Sequence, residues 1–248
     1  MALIHSLEES GNYLFRHRGQ IPVFLFLIAI PIVYITDISY LNQTSTLIIQ
    51  IVAIALSFMG FIIRAITIGT TPAGTSGRNT REGQVAEQLN TSGIYSIIRH
   101  PLYLGNYLMW IGIVFFTYNL YFVLIVSLGY WLYYERIMFA EERFLEKKFG
   151  ENYLNWSLEA PAFIPAFRKY KKSTIPFSLK SVLRREYSGV LATVLGFAFI
   201  DNFRYYFEKQ SFEWKSPANI TLIVTTMIVL VLRSLKHYTA VFNESGRS

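Results

Sequence analysis

The chain contains no cysteine. Disulfides, thiol nucleophiles and cysteine-ligated metals are therefore excluded, and no metal centre is expected. Charge is scarce too. Asp, Glu, Lys and Arg make up 16 % of the 248 residues, against about 25 % in an ordinary soluble domain. The first twenty residues lack the small-residue cleavage site of a secretory signal. Arg16 and Arg18 instead precede an apolar run that reads as a retained first span. No repeat of 20–50 residues is evident, and nothing in the pattern calls for nucleic acid.

What is present is apolar length. Hydrophobic residues reach 52 %, and a spanning helix needs about 20 of them in series. Six stretches are candidates: 21–40, with Pro31 as a kink point; 46–68; 102–118; 120–134; 189–203, interrupted by Asp201 and Asn202; and 218–232. The third and fourth are separated by little more than Asn119 and read as a tight helical hairpin. Lys and Arg fall on alternate connections. The stretch 135–188 holds eleven of the chain's 23 basic residues, whereas 41–45 and 117–121 hold none. The positive-inside rule then places both termini and every charged motif in the cytoplasm. The expected fold is an all-α polytopic integral membrane protein of about six transmembrane helices. It divides into a two-span N-terminal region (1–68), a core with the hairpin and motifs (69–167), and a basic linker with two further spans (168–248). The basic cluster within 168–185 reads as a juxtamembrane anchor beside anionic headgroups.

Two charged strings flank the hairpin: RHPLYLG at 99–105 and EERFLEKKFGENY at 141–153. Charge at the end of an apolar stretch is costly and usually marks chemistry. Pro101 suits a first helical turn. Arg99 and His100 stand at that helix's N-terminus, where free N–H groups already favour an anion, so two cations there make sense beside an anionic ligand group. His100, Tyr103, Tyr107 and Trp110 recur on one helical face, and so do Trp131, Glu135, Met138 and Glu142. An anion site and a carboxylate at one mouth suit a zwitterion such as an amino-acid moiety. The plainer readings are snorkelling Arg and His side chains and a solvated face at Glu141, Glu142 and Arg143.

Together, GIYSIIRHPLYLG (93–105), EERFLEKKFGENY (141–153) and the trailing APAFIP (160–165) resemble the isoprenylcysteine carboxyl methyltransferase and phospholipid methyltransferase superfamily. The resemblance covers about 90–165. It implies an integral-membrane methyltransferase that uses S-adenosylmethionine. It also implies that Arg99, His100, Pro101, Tyr103, Gly105 and Tyr95 bind the cofactor together with Glu141 and Glu142, with Glu142 and Arg99 in catalytic roles. An Arg near the acidic pair in some relatives has its nearest counterpart here in Arg136, at a different offset.

A sulfonium methyl is already activated, so alignment and exclusion of water suffice. An anionic oxygen needs no general base, whereas a lipid amine does. The substrate-side candidates are cationic: Arg64, Arg136, and Arg78 and Arg81 in the glycine-rich segment 74–83. This loop also reads as an ordinary flexible connection. The expectation is O-methylation of a carboxylate or phosphate on a membrane lipid or lipid-linked acceptor. The alternatives are phospholipid N-methylation, an NADPH-dependent sterol-type reductase, or a non-enzymatic membrane scaffold. The oligomeric state and the membrane are not legible.

Overall fold

A computed structural model describes residues 2–75, 78–80 and 83–247, with residues 21, 22, 78–80 and 83–85 given by backbone alone. The described residues form eight α-helices: α1 (Leu3–His17), α2 (Ile21–Ile35), α3 (Gln43–Gly69), α4 (Pro101–Phe115), α5 (Leu120–Phe149), α6 (Glu151–Glu159), α7 (Leu179–Lys209) and α8 (Pro217–Tyr238). A short antiparallel ribbon, β1 (Arg78–Thr80) with β2 (Gly83–Val85), departs from the all-helical expectation.

Each expected span lies in a helix, with changed limits. The helices α3, α5 and α8 are long and apolar enough to cross a membrane, which makes this an integral membrane protein. The helices α2 and α4 are apolar but only 15 residues long. Pro31 sits inside α2 without ending it. The interrupted fifth stretch falls within α7, 31 residues long, which begins ten residues before position 189. The amphipathic α1 was not expected. Its Phe15 and Gly11 are buried, and a side chain at Gly11 would collide with the backbone of α5.

Side-chain caps set where the long helices begin. Asn42 accepts from the Ser45 N–H (2.8 Å), Asn119 from Phe122 (2.9 Å), Ser178 from Ser181 (3.0 Å) and Ser216 from Asn219 (3.2 Å). Each satisfies an N–H that the first helical turn leaves open. Asn119 has a second task. Its Nδ2 donates to Thr36 Oγ1 (3.0 Å), tying the hairpin turn to the end of α2.

The helices run back and forth, so connections alternate between two ends of the bundle. The α4–α5 turn, Asp201, Arg204 and Gln210 mark one end. The other gathers Arg64, Arg99, His100, Glu141, Glu142 and Glu186. The α3–α4 contact depends on small residues. A Cβ on Gly105 would come within 2.9 Å of the Gly60 carbonyl oxygen, and Ser57 Oγ donates to the Met109 carbonyl (2.9 Å). In an apolar medium such close approach supplies helix association. The chain's tail returns to the charged end. There Arg247 donates to the Gly69 carbonyl (2.8 Å), and Ser178 hydrogen-bonds Glu244.

Candidate functional site

The two charged strings close on each other. Arg99 gives Nε to Glu142 Oε1 (2.9 Å) and one terminal nitrogen to Glu142 Oε2 (3.2 Å). Its other terminal nitrogen donates to the carbonyls of Ser157 and Ala160, both at 2.7 Å. These are the last carbonyls of α6, where a cation is favourable. The cation at the α4 N-terminus is thus held in place by protein groups. His100 Nε2 lies 2.8 Å from Glu142 Oε1, and its Nδ1 lies 3.5 Å from Glu141 Oε2. Tyr103 Oη donates to Glu141 Oε2 (2.9 Å).

His100 and Glu141 are each 6 % exposed, so their charges are shielded from water. Burial pushes the His100 imidazole down, but its hydrogen bonds and proximity to Glu141 and Glu142 outweigh this and hold it above the ordinary histidine range. Burial pushes the Tyr95 phenol up to about 12, leaving it a neutral donor near pH 7.

The segment 160–166 is a strap. The Arg99 N–H donates to the Pro161 carbonyl (2.9 Å), the His100 N–H to Ala162 (3.2 Å), and the Ala166 N–H to Ile97 (2.9 Å). APAFIP therefore fixes the backbone of the RHP segment. Gly93, at φ +61°, opens the turn that leads into this segment. Gly150, at φ +54°, separates α5 from α6. Both are positions where a left-handed backbone favours glycine.

A cavity of about 270 Å³ opens beside this cluster. Of the residues expected from sequence, Tyr95, Arg99, His100, Pro101, Tyr103, Glu141 and Arg64 line it. Glu142 stands outside the lining, holding Arg99 and His100 from behind. Gly105 is covered, its missing side chain making room for Arg64 Cγ. Arg136 is exposed on the α5 surface and is not part of the lining. The backbone of Arg78 lies in β1, and Arg81 lies outside the described residues. Trp131 packs on Phe163 of the strap (5.6 Å between ring centres).

The cavity also has walls that the motifs do not announce: Arg18, Asn106, Tyr134, Trp156, Arg185 and Glu186. Glu186 is the most telling. It is 2 % exposed and grips Arg64 with two hydrogen bonds of 2.6 Å, while Arg64 also donates to Asn106. A signal for Glu186 did exist, since RRE at 184–186 opens an otherwise apolar stretch, but it resembled the surrounding basic anchor.

The carboxylates, guanidinium groups and aromatic rings suit S-adenosylmethionine chemically. Carboxylates match its ammonium, guanidinium groups match its carboxylate, and aromatic faces match its purine and its sulfonium.

Residues 47–152 match the phospholipid methyltransferase family. The chain is 35 % identical over 89 residues to the cobalt-zinc-cadmium resistance protein CzcN of Cupriavidus metallidurans, covering 36 % of this chain and 41 % of that protein. It is 32 % identical over 77 residues to the protein-S-isoprenylcysteine O-methyltransferase of Schizosaccharomyces pombe, covering 31 % and 33 %. The corresponding enzyme of Xenopus laevis is 26 % identical over 123 residues, covering 50 % and 43 %. The chain thus spans less than half the length of these relatives. No solved structure matches it significantly. The matched segment takes in the hairpin, RHPLYLG and all but the last residue of EERFLEKKFGENY, and over it the chain is similar to the phospholipid methyltransferase family and to the isoprenylcysteine O-methyltransferases.

Proposed function

We propose that this protein is an S-adenosylmethionine-dependent methyltransferase acting at the cytoplasmic face of its membrane. On this reading it O-methylates a carboxylate or phosphate of a lipid or lipid-linked acceptor. The observation that carries the reading is the cavity where Glu141, His100 and Tyr103 meet Arg64 and Arg185 at one end of the bundle. Glu141 would hold the cofactor's ammonium. Arg18 and Arg185 would face its carboxylate, and Tyr95, Tyr134 and Trp156 would enclose its rings. The bound cofactor supplies a methyl group already activated for displacement. The chain's own residues have to orient the acceptor oxygen and exclude water. Arg64 would bring an anionic headgroup to the cavity, where guanidinium geometry suits carboxylate or phosphate. When bound, the cofactor would supply the methyl and leave as a neutral thioether, while Arg64 would hold the oxygen that receives it. The oxygen starts as an anion, so no proton has to leave.

The test has two parts. S-adenosylmethionine should raise the melting temperature of the purified protein; at a hundredfold excess over Kd this corresponds to about 2.7 kcal/mol. Stabilisation by NADPH alone would favour a reductase. Labelled methyl should then appear on oxygen in membrane lipids incubated with the protein, adding the mass of one methylation. Label on nitrogen would replace the oxygen assignment with lipid amine methylation.

A further inference from the structure

Past Arg64 and Glu186 a second cavity, of about 630 Å³, continues along the same helices. Its walls begin about one helical turn beyond the first. On α3, Phe61 lies three residues from Arg64; on α4, Met109 lies three from Asn106; on α7, Val190 lies four from Glu186. It ends near Gln50, Phe116, Asp201 and Thr221. Gln50 to Phe61 and Val190 to Asp201 are each eleven residues apart, about 16 Å at the helical rise. The hydrocarbon core of a bilayer is about 30 Å thick, so the groove is one leaflet deep, measured from the polar site. On its α3 wall, Ile54 and Phe58 are exposed at the protein surface, so the groove opens sideways to lipid. Two of its walls, α7 and α8, lie outside the segment that matches the family.

We propose that this groove holds one acyl chain of an anionic lipid from the same leaflet, with the headgroup at Arg64. The C-terminal helices then form the chain-binding half of the acceptor site. Three observations converge on this occupant. The groove begins about one helical turn beyond Arg64 and Glu186 of the polar cavity. Its depth matches one leaflet. Its side is open, so a chain can slide in without leaving the bilayer. Aromatic and small side chains alternate along it, with Phe58, Phe61 and Phe197 beside Ser57, Thr193 and Ala218. In an apolar solvent, such shape complementarity is what selects a particular chain. This inference rests on the methyl-transfer reading only for the headgroup's fate.

The full chain can be placed in phosphatidylcholine vesicles doped with phosphatidic acid carrying a diazirine on its acyl chain, irradiated, and mapped by peptide mass spectrometry. Adducts are expected on 54–61 and 190–201, about tenfold above those from a diazirine phosphatidylcholine of the same chain. Thr193→Trp and Ala218→Trp, which fill the groove, should lower them by a similar factor. The same variants should still be stabilised by S-adenosylmethionine, which shows that they fold; if the tryptophans prevent folding, Ala218→Leu replaces them. Adducts spread evenly over bilayer-facing Ile48, Met227 and Ile228, or insensitive to the substitutions, mean bulk lipid only and overturn the proposal. Preferential labelling by a prenyl diazirine probe overturns the acyl assignment. Cofactor stabilisation without groove labelling defeats the groove alone. Groove labelling without cofactor stabilisation defeats the methyltransferase reading and leaves the groove standing.

Discussion

At the scale of single residues, the site is a set of charges that satisfy one another. Arg99 spans Glu142 and two carbonyls of α6 at once. A lysine has a single ammonium and cannot reproduce that fork. Arg99→Lys should therefore cost about 1.5–3 kcal/mol, the range for hydrogen bonds to a charged group; an unchanged melting curve would show that the fork is not needed. His100 gives a pH dependence with a definite sign. Its folded-state pKa is raised because the bonds to Glu141 and Glu142 outweigh burial. The native state thus binds a proton that the unfolded chain releases near the ordinary value of about 6.5. This stabilisation is complete below that value and is lost as the pH rises through the raised one. Melting temperature should fall over this window, and His100→Gln should flatten the profile. The motif residues were legible because their charges stand at the ends of apolar runs. Glu186 and Asn106 were not legible as partners of Arg64, because only the packing of α3, α4 and α7 brings them to it.

At the scale of elements, the α3–α4 contact has the least slack. A Cβ at Gly105 would lie 2.5 Å from Arg64 Cγ and 2.9 Å from the Gly60 carbonyl oxygen. Gly105→Ala should thus cost about 1–3 kcal/mol as overpacking and displace Arg64 from the cavity. Gly129, on the exposed side of α5, has nothing within 4 Å of its would-be Cβ. Gly129→Ala should be neutral or slightly stabilising, since alanine is the better helix former. Thermal unfolding of both variants in the same detergent separates the two effects; equal melting temperatures would refute the close-packing account. The hairpin was readable from Asn119 and the apolar runs around it. The strap at 160–166 was readable as a motif but not as a backbone partner of 97–100, because such pairing leaves no periodic trace.

At the scale of the molecule, α1 and the C-terminal tail lie at the same end as the charged cluster. The absence of cysteine makes this testable with single introduced thiols. In sealed vesicles, Ser6→Cys and Ser245→Cys should react with an impermeant maleimide from one side, and Ser211→Cys from the other. Labelling of Ser6→Cys and Ser245→Cys from opposite sides would refute the arrangement. Six helical stretches could be read from hydropathy, but their lengths could not. The helices α2 and α4 stop at 15 residues, where Thr36 and the hairpin turn end them, and α7 begins early because Ser178 caps it. The uninterrupted course of α5 has a mechanical consequence. At about 1.5 Å per residue, its 30 residues make a rod of about 45 Å, with Glu141 and Glu142 on its outer third. Any hydrophobic mismatch that tilts this rod swings both carboxylates against Arg99, His100 and Tyr103, which are anchored on α4 and the strap. The thickness of the surrounding bilayer is thereby coupled to the geometry of the charged cluster.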